Sequence, residues 1–168
     1  EHILQIFELI TGLRMNHAYI RPGGVVQDLP PGAVDAIREA LVGVRKFAGD
    51  LSKLMTANPI LKLRYQHVGY LNLAGCMALG MTGPILRSAG LPYDVRKANP
   101  YSGYETYDFD VPTGTNADAW DRMMVRFEEM WQSIHIVEQA LDRLAKLGPH
   151  APVMVADKKI AWPAQLAV

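Results

Sequence analysis

Residues 116–147 read NADAWDRMMVRFEEMWQSIHIVEQALDRLAKL, and this stretch decides the fold class. Met123, Phe127, Met130, Ile134, Val137, Leu141 and Leu144 recur four and three residues apart, the spacing of one helix face. Trp120, Met124 and Trp131 widen that stripe. At ~1.5 Å of rise per residue, such a helix is about 45 Å long. Thr115 or Asn116 is placed to cap it, Asp118 sits near the positive end of its dipole, and Gly148-Pro149 ends it.

Working outward, a matching stripe occupies about 31–57, where Val34, Ile37, Leu41, Val44, Ala48, Leu51 and Met55 repeat at the same spacings. Pro30-Pro31 opens it and Asn58-Pro59 stops it. Two long seams are most cheaply buried against each other, so antiparallel packing into a helical bundle is expected. Residues 1–11 form a shorter helix, stopped by Gly12. Its Ile3, Leu4, Ile6, Phe7, Leu9 and Ile10 are apolar on more than one face, which predicts burial on several sides. No capping residue precedes the pattern, as if the helix were entered partway along an excerpt of a longer chain.

Between the long helices, residues 60–112 read as irregular and rich in glycine and proline. Short helices are expected over 72–80 and 83–90. Tyr107, Phe109 and Val111 alternate with Asp108 and Asp110, which predicts a short strand, and Val153-Met154-Val155 suggests an edge strand. Pro22-Gly23-Gly24 marks a turn with special backbone angles. The expectation is a mainly α fold: one domain over 1–168, a helical bundle core of long antiparallel helices with a short β element.

Composition narrows function by exclusion. Lysine plus arginine equals aspartate plus glutamate at 17 each, so no whole-chain basic field attracts nucleic acid or anionic lipid. The one cysteine, Cys76, forms no internal disulfide and cannot hold an iron–sulfur cluster or structural zinc by itself. It reads as a small buried apolar residue. No apolar run approaches the ~18 residues of a membrane span, and Glu1-His2-Ile3-Leu4 does not open a signal peptide. Any membrane association is therefore expected through partners.

Chemistry-bearing patterns are sparse. His2, His17, His67, His135 and His150 lack ligand spacing; His135 falls on the charged face of the long helix and His67 beside Tyr65 and Tyr70 reads as packing. His17, between Arg14 and Arg21 in a glycine-bordered segment, has both a functional and a structural reading. Asp108, Asp110, Asp118 and Asp121 lack the calcium-loop pattern and read as solvated charges. No nucleophile motif, Walker loop or dinucleotide fingerprint is present, so no catalytic residue, no metal site and no NADH or flavin site is assigned to this chain. What remains is a set of cations in glycine- and proline-rich loops: Arg14, Arg21, Arg87, Arg96 and Lys97. Fixed positive groups suit an electronegative partner, such as a reduced metal cluster or a quinone carbonyl.

Specific strings carry a resemblance. They are Phe7-Glu8-Leu9-Ile10-Thr11-Gly12-Leu13-Arg14-Met15, Ala18-Tyr19-Ile20-Arg21-Pro22-Gly23-Gly24-Val25 and Asp28-Leu29-Pro30. Thr82-Gly83-Pro84-Ile85-Leu86-Arg87, Asp94-Val95-Arg96-Lys97 with Pro100-Tyr101, and Asp108-Phe109-Asp110-Val111-Pro112 extend it, as does the stretch from Glu129-Met130 to Gln139. Together they resemble the D subunit family of NADH-quinone oxidoreductase, respiratory complex I, over nearly the whole chain.

The resemblance implies a fold like the nickel–iron hydrogenase large subunit, without its paired Cys-x-x-Cys metal ligands. It implies a place in the peripheral arm, on the cytoplasmic side of the inner (plasma) membrane. There the chain would face the subunit that carries the terminal iron–sulfur cluster, with the C subunit also a neighbour. Quinone is reduced in a cavity between the D subunit and the cluster subunit, in a reaction coupled to proton translocation. Family members are about twice as long or more, and the histidine and tyrosine thought to contact quinone lie in a region that would precede Glu1. An internal fragment, inactive alone and binding no cofactor itself, is therefore expected.

Carried over by motif, Arg14, Met15, Asn16, His17, Arg21, Gly23 and Gly24 form the cluster- and quinone-proximal loop, and Arg87, Arg96 and Lys97 a possible interface. Many relatives have histidine directly after the Arg-Met pair; here Asn16 stands there and His17 follows. Asparagine does not titrate, so either His17 takes over the protonic role or the role is absent. Two alternatives stand beside this reading: a fragment of a membrane-bound hydrogenase-type large subunit, and a helical interaction module without redox role.

Overall fold

The computed structural model describes residues 1–147 and 151–157 of the chain. Its helices are α1 (His2–Thr11), α2 (Ala33–Thr56), α3 (Pro59–Tyr65), α4 (Leu73–Ala78), α5 (Pro84–Ser88), α6 (Val95–Ala98) and α7 (Ala119–Leu144), with a 3-10 turn at Tyr104–Thr106. The strands are β1 (Ile20–Arg21) and β2 (Gly24–Val25). The fold is mainly α, as the periodicity predicts. The chain divides into two compact units: Glu1–Val44 with the stretch from Ala140, and Arg45–Gln139.

In the first unit, Gly12 ends α1 in a left-handed conformation (φ 78°), its N–H donating to the Glu8 carbonyl. None of α1 is buried, and Ile3 and Leu9 stay about half exposed, so the expected burial on several faces does not occur among the described residues. The start of α2 buries Ala33, Ile37 and Leu41. Full burial of such a leucine or isoleucine contributes roughly 1.5–3 kcal/mol. β1 and β2 form a tight antiparallel hairpin, Ile20 opposite Val25 and Arg21 opposite Gly24. The expected edge strand is visible as a bridge between Gly24 and Met154, flanked by Val25 N–H to Val153 O and Val155 N–H to Gly23 O, each 2.9 Å. Gly24 is required there: its φ is +150°, and a Cβ would lie 2.8 Å from the Met154 Cα.

In the second unit, α7 begins on two carboxylates. Asp118 Oδ1 accepts the Asp121 N–H at 2.9 Å, which makes Asp118 the cap rather than Thr115 or Asn116. Asp121 reaches back instead, accepting from the N–H groups of Thr115 (2.7 Å) and Asn116 (2.6 Å). Asp118 is 2% and Asp121 7% exposed, so the reading of both as solvated charges is corrected. Val125, Phe127 and Ile134 are buried on α7, whereas Val137 of the expected seam is exposed. The end of α2 runs antiparallel beside α7: Arg45 pairs with Glu138 at 2.5 Å, and Gly49 faces Trp131.

The intervening segment is more helical than its glycine content suggests. Asn58 does not merely stop α2; its Oδ1 accepts from Ile60 and Leu61 N–H and caps α3, with Pro59 in the first turn. α6 is likewise unforeseen, capped by Asp94. The expected strand at 107–111 is not formed. Asp108 N–H donates to Gln139 Oε1 (2.9 Å) and Asp110 N–H to Gln132 Oε1 (3.0 Å), so glutamine side chains of α7 take the place of a strand partner. Phe109 between them is 2% exposed, and Cys76 of α4 and Ser88 of α5 are fully buried.

Candidate functional site

Three contacts tie residues 14–27, the loop with the end of its hairpin, to α1. Arg14 Nε donates to Glu8 Oε2 at 2.7 Å. The His17 ring stacks at a tilt on Phe7, centroids 4.9 Å apart. Gln27 Nε2, just past the hairpin, donates to the Ile10 carbonyl at 3.1 Å. Asn16 has φ +56°, a left-handed conformation that asparagine tolerates better than most residues. Met15 is 69% exposed beside it.

Arg21 ends β1, one residue before the Pro22-Gly23 turn. Its Nε donates to the Ala18 carbonyl at 3.1 Å, which fixes the base of the guanidinium. The residue is exposed, and no carboxylate pairs with it among the described residues. It borders a cleft of about 210 Å³ with Thr11, Leu13, Ala18, Tyr19 and Gln27. The Tyr19 hydroxyl donates to the Gln27 carbonyl at 2.7 Å. Burial, and then the charge of Asp28, raise the Tyr19 hydroxyl above the ordinary tyrosine pKa, so it stays a neutral donor. The loop thus offers one paired arginine, one unpaired arginine and one exposed imidazole.

The other cations lie in the second unit, each with partners inside the chain. Arg87 is 12% exposed in its side chain, bridged to Glu129 at 2.5 Å, and donates to the Tyr93 carbonyl. Arg96 forms a two-pronged pair with Asp94 and lies over the Phe109 ring at 4.8 Å. That hydrogen bond holds the Asp94 carboxyl below its ordinary pKa against the opposing effect of burial. The Lys97 ammonium also lies 4.8 Å over Phe109. These arrangements tie loops to α6 and α7; Lys97 is the exposed one of the three.

Sequence reasoning missed Glu8, Gln27, Asp118, Asp121, Gln132 and Gln139 as organising residues. The pair Asp118 and Asp121, three apart before an apolar run, has the spacing of a capping box and is open to that reading. Nothing local signals Gln132 and Gln139, whose partners lie 22 and 31 residues away. Among the described residues, no three His, Cys, Asp or Glu side chains are grouped to hold a metal ion.

This mainly α chain with its arginine-bearing glycine hairpin falls, by its sequence, in the class of respiratory-chain dehydrogenase subunits. Over residues 1–168 it matches the family described as respiratory-chain NADH dehydrogenase, 49 kDa subunit, and it belongs to that family. It is 68% identical over 168 residues to a D subunit of NADH-quinone oxidoreductase from Streptomyces avermitilis and 67% identical to one from Streptomyces coelicolor. The D subunit of a Nocardioides species is 58% identical over the same length. Each alignment covers all of this chain and 37% of the relative, so the chain spans little more than a third of those proteins.

Proposed function

We propose that this chain is the part of a proton-translocating NADH:quinone oxidoreductase that walls and polarises the space between a neighbour's terminal iron–sulfur cluster and the quinone-reduction cavity. The observation that carries the reading is Arg21: an exposed guanidinium, anchored through Nε, without a carboxylate partner among the described residues. Family membership supports it over the whole length.

The neighbour's cluster supplies electrons one at a time, and quinone takes two with two protons. A fixed positive charge near the cluster favours its reduced form and raises its potential. Arg21 supplies that charge; Pro22, Gly23 and Gly24 bring the backbone round tightly enough to present it. His17, exposed and stacked on Phe7, is the loop's imidazole, and Asn16 before it carries no ionisable group. The chain binds no cofactor by itself and alone is inactive. Its partners are other peripheral-arm subunits, foremost the cluster subunit and the C subunit, together with quinone. It sits peripherally on the cytoplasmic side of the membrane through those partners. No helix among the described residues is long and apolar enough to cross a membrane.

The test is Arg21→Ala in the intact complex. NADH:quinone turnover should fall while NADH oxidation by a one-electron artificial acceptor, which draws electrons upstream, is unchanged. Equal quinone turnover in variant and wild type contradicts the reading. For the 168-residue chain by itself, the exposed apolar side chains of α1 favour a second reading, a self-associating helical module. Sedimentation that shows a monomer at all concentrations removes it.

A further inference from the structure

The loop carries two arginines in unlike electrostatic states. Arg14 is held by Glu8 at 2.7 Å, whereas Arg21 has no such partner among the described residues. The pairing follows from how α1 ends. Gly12 turns the chain left-handed at φ 78°, so Arg14 folds back onto Glu8, six residues earlier. Leu13 N–H donates to Thr11 Oγ1, which holds the turn in that course. A pair of opposite charges this close acts at a distance as a dipole, and its field decays faster than that of a lone charge.

We propose that Glu8 is a positioning residue that selects which arginine acts: it ties Arg14 into a neutral pair and leaves Arg21 as the loop's net positive charge toward the neighbouring redox centre. This rests on the cluster-proximal reading given above. Glu8 touches neither quinone nor cluster; it acts through Arg14. Both members of the pair are about half exposed, so the bridge adds little to stability and its removal leaves the fold intact. Its consequence is electrostatic. Without Glu8, a second uncompensated guanidinium stands in the same loop as Arg21, and the loop becomes more positive.

The experiment is a potentiometric titration of the terminal cluster in the intact complex, read by its paramagnetic signal. Glu8→Gln should raise the cluster's potential beyond fitting error, and Arg14→Gln should lower it by leaving Glu8 uncompensated. The double variant Glu8→Gln/Arg14→Gln should match wild type, as should Glu8→Asp, which keeps the charge. A merely structural role for Glu8 predicts no such opposed signs and no cancellation. An unchanged potential in Glu8→Gln overturns the proposal, and so does a double variant lowered as far as Arg21→Ala. If Arg21→Ala itself leaves the potential unmoved, the cluster-proximal reading fails first, and that failure is recognised without reference to Glu8.

Discussion

Gln139 and Asp108 exchange two hydrogen bonds: the Asp108 N–H donates to Gln139 Oε1 at 2.9 Å, and Gln139 Nε2 donates to the Asp108 carbonyl at 2.6 Å. A primary amide is the one side chain that mimics a peptide group in this way, offering a donor and an acceptor together. It lets α7 satisfy an extended segment that has no strand beside it. Gln139→Leu removes both bonds and should cost about 1–2 kcal/mol, since each nets roughly 0.5–1.5 kcal/mol. Urea denaturation checks it; a loss under a few tenths shows that water replaces the amide without penalty.

Asp118 carries a heavier load because it is buried. Its Oδ1 caps α7 and its Oδ2 accepts the His67 N–H at 2.8 Å, and His67 itself has φ +61°. Asp118→Ala orphans two donors and frees a left-handed residue from its anchor. The expected destabilisation is about 2–4 kcal/mol, from a lost cap and a buried unsatisfied N–H. The same denaturation measurement decides, and a cost comparable to a surface substitution contradicts the assignment.

These two residues also show what a sequence discloses and what it withholds. The long helices are legible because burial repeats locally: Ile37, Leu41, Ile134 and Leu141 fall where the stripes place them. The apolar alternation at Tyr107, Phe109 and Val111 has a strand's period, but period alone does not say whether the backbone partner is a strand or a glutamine. Asn58-Pro59 signals a helix stop and a helix start equally well, and the structure uses both. α1 is apolar on several faces, yet the described residues bury none of it, because an apolar pattern does not say what covers it. The Arg14–Gly24 loop is recognisable through its resemblance to a family. Its Glu8 clasp is hidden from the sequence, because a contact six residues back exists only once Gly12 turns left-handed.

Acid should weaken the second unit through Asp94 and Asp121. The Arg96 hydrogen bond, working against burial, lowers Asp94; for Asp121, burial is outweighed by hydrogen bonds from Asn116 and Thr115. Both folded values lie below the ordinary 3.8, so the unfolded chain binds more protons as pH falls. Their stabilisation is therefore complete above the unfolded value and lost as pH drops through the folded ones. Denaturant midpoints measured from about pH 6 downward should decline below about pH 4–5, and Asp94→Asn should flatten the decline. An unaltered slope in Asp94→Asn contradicts the attribution. Tyr19 has the opposite sign: raised above 10.0, it stabilises below that value and is lost at more alkaline pH.

Gly24 ties the hairpin to residues 153–155, so a side chain there strikes main chain rather than a flexible neighbour. Gly24→Ala should cost about 1–3 kcal/mol through backbone strain and the displaced bridge. Amide exchange at Val25 and Val155, whose N–H groups donate across that bridge, should accelerate together. Protection retained at both sites shows that the strand shifts without loss.

The claim on which the functional account stands is that Arg21 polarises a redox centre held by another subunit. The most direct measurement is the midpoint potential of the terminal cluster in three intact complexes: wild type, Arg21→Lys and Arg21→Ala. The account predicts a potential lowered in Arg21→Ala and largely restored in Arg21→Lys, because the effect follows charge. Potentials that coincide in all three complexes contradict it.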